Sequence, residues 1–215
     1  MKSNRERAKE LLPAIILTIL SMIQALALEL YWSKLVDSPY LWHGDVHAVI
    51  GWLQFAVMLQ GMLLIWVFFV SFVLRFSWLP SVEDTLMPFA IGLLQFALVD
   101  LMDPSTLWLW FLFLAAIFGV STFASYLMMR QARHDPDNNY FFSRVQPAGW
   151  RDYFSTLLIL FALCSLGLLI WWTDNNPALS IAALLFALGA LAYRILMVRR
   201  FWMHSIDSTE PRGGN

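Results

Sequence analysis

Three groups of residues in this chain have the types and spacing to do chemistry. The first is Trp42-His43-Gly44-Asp45-Val46-His47. On a helix, a spacing of four puts both imidazoles on one face, as paired metal ligands stand, while Asp45 points elsewhere. The same imidazoles exchange protons near neutral pH. Gly44 weakens a helix at this point. His43 and His47 therefore stand open between zinc ligation, proton exchange and a plain helix start. The second group is Gln24, Gln60 and Gln95, each near the middle of a long apolar run. A glutamine in hydrocarbon is costly unless its amide finds a partner. Three at similar depth either clamp helices together or line a hydrated path. The third group is acidic: Glu29, Asp37, Asp45, Asp100, Asp103 and Asp174, six of the fifteen carboxylates.

Other chemistries have no residues to carry them. The chain contains no P-loop, dinucleotide fingerprint, Gly-x-Ser-x-Gly elbow or His-Glu-x-x-His motif. Asp135-Pro136-Asp137-Asn138-Asn139 begins like a calcium loop, but lacks the glycine at loop position six and the acid at position twelve. A single cysteine, Cys164, excludes an intrachain disulfide and a cysteine metal cluster. A net charge of −1 gives no electrostatic footprint for nucleic acid. No cofactor is expected, and whether the chain is an enzyme stays open, with the balance against it.

The elements that must position these groups follow from composition. Charged residues make up 13% of the chain, against about a quarter in an ordinary soluble domain. Long apolar runs then predict an all-α polytopic membrane protein, because lipid satisfies a backbone only in helices or closed barrels. Six spans of near-bilayer length are expected: Leu11–Trp32, Ala48–Leu74, Leu86–Met102, Leu107–Met129, Tyr153–Trp172 and Pro177–Val198. Residues 1–200 form one six-helix domain, and 201–215 a short cytoplasmic tail without order. The basic start Met1–Glu10 with Ala25-Leu26-Ala27 is like a signal peptide, but its apolar run is too long for one and reads as the first span. Asp103-Pro104-Ser105-Thr106 predicts a tight turn. Asp174-Asn175-Asn176-Pro177 predicts a capped helix start with proline at its first position.

Charge sets the orientation. Of the fourteen lysines and arginines, Lys34 alone falls on one side of the six-span plan. The positive-inside rule places both termini in the cytoplasm of a plasma membrane, the inner membrane in a Gram-negative cell. Glu29 then sits about 27 Å above Leu11, near the outer headgroups. Most tryptophans fall at the two boundaries, Trp110 at the outer and Trp78 at the inner, as interfacial anchors. Ala115 with Gly119, and Ser180 with Ala183, Ala187 and Ala190, form small-residue stripes for close helix packing within the bundle or between subunits.

Three functions remain open. One is movement of a small cation or proton, with the acidic rim (Asp45, Asp103 and Asp174) attracting the ion, Glu29 and Asp100 at the entrance, and Gln24, Gln60 and Gln95 along the path. The second is a non-catalytic accessory or scaffold subunit, in which the amides and small stripes hold helices together. The third is a metal-dependent enzyme at the outer face, built on His43 and His47. Expected partners are membrane lipids and either further copies of the chain or another membrane subunit.

Overall fold

The computed structural model describes residues 4–79, 81–143 and 150–207, and all their regular structure is helical. Six long helices are α1 (Asn4–Val36), α2 (Val46–Arg75), α3 (Val82–Asp100), α4 (Leu107–His134), α6 (Trp150–Trp172) and α7 (Pro177–Asp207). A single turn, α5 (Asn139–Phe142), follows α4. Helix α7 runs past the boundary drawn at residue 200, and residues 208–215 lie outside the described residues.

Local chemistry starts and stops these helices. Asp45 caps α2, its carboxylate accepting from the Ala48 N–H at 2.9 Å. Ser81 and Asp84 form a reciprocal capping box on α3. Asn176 Oδ1 accepts from the Ala178 and Leu179 N–H groups at the start of α7, with Pro177 at the first helical position. Asp174 and Asn175 turn the chain there in the left-handed region, at φ 49° and 57°. The sequence cues at Asp103 and Asp174 thus mark real turns.

Helices α1, α3 and α6 run opposite to α2, α4 and α7. The broadest packings are α2 along α7, α4 along α6, and α1 along α3, with α3 also lying on α4. Small residues permit them. Ala183 and Ala187 are fully buried and Ala115 nearly so, so these stripes serve the bundle itself. A Cβ on Gly167 would stand 3.0 Å from the Trp108 carbonyl oxygen, so α6 can approach α4 there only as glycine.

The two ends of the bundle differ. At one, the start of α1 meets the end of α4. Lys9 Nζ lies 2.6 Å from Asp135 and 2.7 Å from Asp137. Buried Asn138 donates to the Ser77 and Ala132 carbonyls and accepts from the Ser77 N–H. Phe76 packs on Phe141, Phe142 and Phe201. The stretch after α4 is thus folded into this end. Trp78 and Trp110 differ from the anchor expectation as well. Both are fully buried, Trp78 edge-on to Phe72 at 5.0 Å and Trp110 edge-on to Phe111 at 5.6 Å. Trp32, Trp42, Trp171 and Trp172 remain exposed at the opposite end.

Among the described residues five segments are long and apolar enough to cross a membrane: Glu6–Val36, Val46–Arg75, Pro104–His134, Phe154–Trp172 and Pro177–Met203. The chain has the character of an integral membrane protein, and its outer surface agrees: large apolar side chains such as Phe161, Leu168 and Leu185 face outward. Helix α3 is the shortest of the six and carries Glu83, Asp84 and Asp100.

Candidate functional site

The mid-bundle amides are not equivalent. Gln24 on α1 and Gln95 on α3 bond to each other: Nε2 of Gln24 donates to Oε1 of Gln95 at 2.9 Å, with the return bond at 3.4 Å. Both are buried, at 5% and 1% exposure. Gln60 stands apart on α2, half-buried, its Oε1 enclosed without a protein partner. A fourth glutamine, Gln54, is fully buried and donates to the Leu101 carbonyl at 3.4 Å. It was missed as a site residue; its one signal in sequence is that Gly51-Trp52-Leu53-Gln54-Phe55-Ala56 matches Gly92-Leu93-Leu94-Gln95-Phe96-Ala97.

The acidic end is knitted by bonds to carbonyls. The last turn of α3 leaves carbonyls without helical partners. Lys34 Nζ donates to the Asp100 carbonyl at 3.0 Å. Thr106 donates to Leu101 at 2.8 Å, and Tyr40 to Met102 at 3.4 Å. A lysine over a helix C-terminus also answers its partial negative charge. Burial raises the Tyr40 phenol above its ordinary pKa. Asp103 accepts from the Ser105 N–H and hydroxyl, and Asp45 caps α2. The Ala48 N–H holds the Asp45 carboxyl below its usual range, with His47 adding to it. Glu29, Asp100 and Asp174 are exposed.

His43 and His47 fall on different elements. Gly44 at φ 72° separates the turn Pro39–Trp42, which His43 closes, from α2, which holds His47. His47 Nδ1 lies 3.6 Å from Asp45 Oδ2. Among the described residues no group of three or more His, Cys, Asp or Glu is placed to hold a metal ion.

A cavity of about 280 Å³ lies between α2, α4 and α7, with Gln95 and Leu98 of α3 also in its wall. Its walls are apolar over most of their height, including Met58, Met62, Ile65 and Leu114. Arg75 and Arg194 also line it, with Ser71, Ser121 and Ser125. Arg75 stacks over Phe76 and Phe141. Arg194 Nη1 donates to Thr156 Oγ1 at 3.2 Å, and its guanidinium lies 5.5 Å from the Phe118 ring centre. A guanidinium at the centre of a membrane helix costs about 2.5–3.5 kcal/mol on insertion scales, and less toward the ends. Sequence counting placed Arg194 with the basic end of α7; only the packing of α7 on α2 turns it into the cavity. Gln95 forms part of the wall.

The chain matches no protein-family model, no curated protein and no solved structure.

Proposed function

We propose that the chain crosses the plasma membrane six times with both termini in the cytoplasm, and serves there as a non-catalytic, non-conducting accessory subunit. The sixth span in this reading is α3. Its nineteen residues reach about 28 Å, close to a hydrocarbon core. Its acids sit at its two ends, where headgroups and water are in reach. Between them Leu86, Phe89 and Leu93 face outward on one stripe, as a lipid-facing helix requires. Lys9, Arg130, Arg133, Arg199 and Arg200 gather at one end of the bundle and Lys34 at the other, which favours a cytoplasmic basic end.

The observation that carries the non-conducting reading is the Gln24–Gln95 pair. Amides that line a water path keep donors and acceptors turned toward it. Here each amide bonds the other in a buried seam, and the bond ties α1 to α3 as interhelical glue. Arg75 and Arg194 add an electrostatic argument, since guanidinium groups on a cavity wall repel an entering cation. Helix α6 is held by α4 and more narrowly by α7, which leaves Leu158, Phe161 and Leu168 facing lipid or a partner helix.

Passage of a small cation or proton is the second reading. One observation favours it: Gln95 lies both in the clamp and in the cavity wall. A metal-dependent enzyme at the outer face draws no support from His43 and His47 on separate elements. Purified chain in liposomes separates the first two readings. The accessory reading expects proton and potassium fluxes equal to those of empty liposomes, together with a stoichiometric partner recovered in mild detergent. Flux above empty liposomes that falls in the Glu29→Gln, Asp100→Asn double variant would establish conduction instead.

A further inference from the structure

We propose that the cavity between α2, α4 and α7 binds one anionic phospholipid from the leaflet at the basic end of the bundle. An acyl chain would lie among Met58, Met62 and Leu114, and the phosphate at the level of Arg194 and Ser121.

The cavity is amphipathic along its length. Helical rise places Leu114 about 10 Å below the start of α4, Ser121 about 21 Å and Ser125 about 27 Å. Arg194 lies about 26 Å below the start of α7. Arg75, at the end of α2, lies about 44 Å below the start of that helix, beyond Arg194 toward the basic end. Arg194 and the α4 hydroxyls of Ser121, Thr122 and Ser125 thus form a polar band, while the wall nearer the bundle centre is apolar. A lipid of that leaflet has the same order, head toward the basic end and chain toward the bilayer centre. The cavity lies just under the ~300–1,000 Å³ typical of small-molecule sites, which suits one chain rather than a whole lipid.

Charge selects the headgroup. Among the described residues no carboxylate pairs with Arg194, whose polar partner is the neutral Thr156 hydroxyl. The Ser121 hydroxyl is enclosed in the same wall with no hydrogen-bond partner. A phosphodiester accepts from both, and guanidinium–phosphate bonds are the stronger, charge-assisted kind. A zwitterionic phosphatidylcholine also brings phosphate, but carries a quaternary ammonium beside the Arg194 guanidinium. Anionic phosphatidylglycerol avoids that repulsion. Inorganic phosphate would answer the arginines and leave the apolar wall empty.

The test is native mass spectrometry of the full chain released from detergent containing equal dioleoyl phosphatidylglycerol and dioleoyl phosphatidylcholine. One phosphatidylglycerol per chain is expected, preferred about tenfold, the scale of one like-charge repulsion near a protein surface. Arg194→Gln should bring the preference close to unity, and Arg194→Lys should keep part of it. Arg199→Gln, on the same helix but outside the cavity, should leave it unchanged. Ser121→Phe, which fills the cavity beside Arg194, should reduce retention of both lipids while the protein still elutes as a single folded species. If Arg194→Gln does not fold, Ser121→Phe alone decides. Equal retention of the two lipids, an equal loss of preference in Arg199→Gln, or undiminished retention in Ser121→Phe would overturn the proposal. So would stabilisation by inorganic phosphate matching that by phosphatidylglycerol, which would assign a free-anion site.

Discussion

At the scale of single residues, polar side chains in this molecule are spent mainly on one another and on backbone ends. The Gln24–Gln95 pair makes this testable. Replacing Gln24 by leucine leaves the Gln95 amide buried without its partner, so Gln24→Leu should cost about 1–2 kcal/mol. Replacing both by leucine removes donor and acceptor together and should cost less than the sum of the singles. Denaturant unfolding in detergent, run as a double-mutant cycle, measures the coupling; additive single costs would mean the amides do not depend on each other. Asp45 supplies a pH-dependent case. Its folded-state pKa is lowered, chiefly by the Ala48 N–H. The cap therefore contributes fully above the ordinary aspartate pKa and is lost as pH falls through the depressed folded value. Asp45→Asn caps without titrating. Its thermal midpoint should thus change less than that of the wild type across this acid window, and equal slopes for the two proteins would count against the cap as a source of acid sensitivity. The short-range cues at Asp103, Asp174 and Pro177 were readable because caps and turns depend on neighbours in sequence. The amides were readable as costly but not as paired, since Gln24 and Gln95 stand seventy-one residues apart and Gln60 has the same local pattern.

At the scale of elements, the helices are joined by a few side-chain clips and close approaches. Lys9 ties the start of α1 to the turn after α4, and Asp135 in that clip is only 7% exposed. Lys9→Met leaves this carboxylate half-desolvated without its cation. A cost of about 1–2 kcal/mol is expected, between the values for exposed and buried pairs. The companion Asp135→Asn change should recover part of it, and chemical denaturation of the single and double variants is the check. Gly167→Ala should cost a similar ~1–3 kcal/mol, because the added Cβ meets the Trp108 backbone oxygen and α6 must shift. Helix identity was legible from apolar run length alone, and so were most boundaries. Burial of Trp78 and Trp110 was not. Tryptophan near a span end reads as an interfacial anchor, and only Phe72 and Phe111 in three dimensions make these two into core. The folding of residues 135–142 onto Phe76 escaped for the same reason. A charged, asparagine-rich segment reads as loop until Asn138 finds the Ser77 backbone across the bundle.

At the scale of the whole molecule, the cavity and the topology are coupled. Helix–helix packing leaves a space between α2, α4 and α7, and no pattern within one helix announces a space between several. Its arginines were legible as basic residues near span ends. The convergence of Arg194 with Ser121 was not, because it depends on how the helices rotate. The side of the membrane on which that convergence lies follows from the six-span plan, so the plan is the prediction with the widest reach. Cys164 is half-buried and is the chain's one thiol, so a Cys164→Ala background permits site-specific labelling. In intact cells a membrane-impermeant maleimide should react with cysteine at Asp103 or Asp174, and should reach cysteine at Arg199 only after permeabilisation. If α3 does not cross, the ends of α2 and α4 exchange sides relative to this plan, and cysteines at Asp45 and Asp103 become accessible from opposite faces.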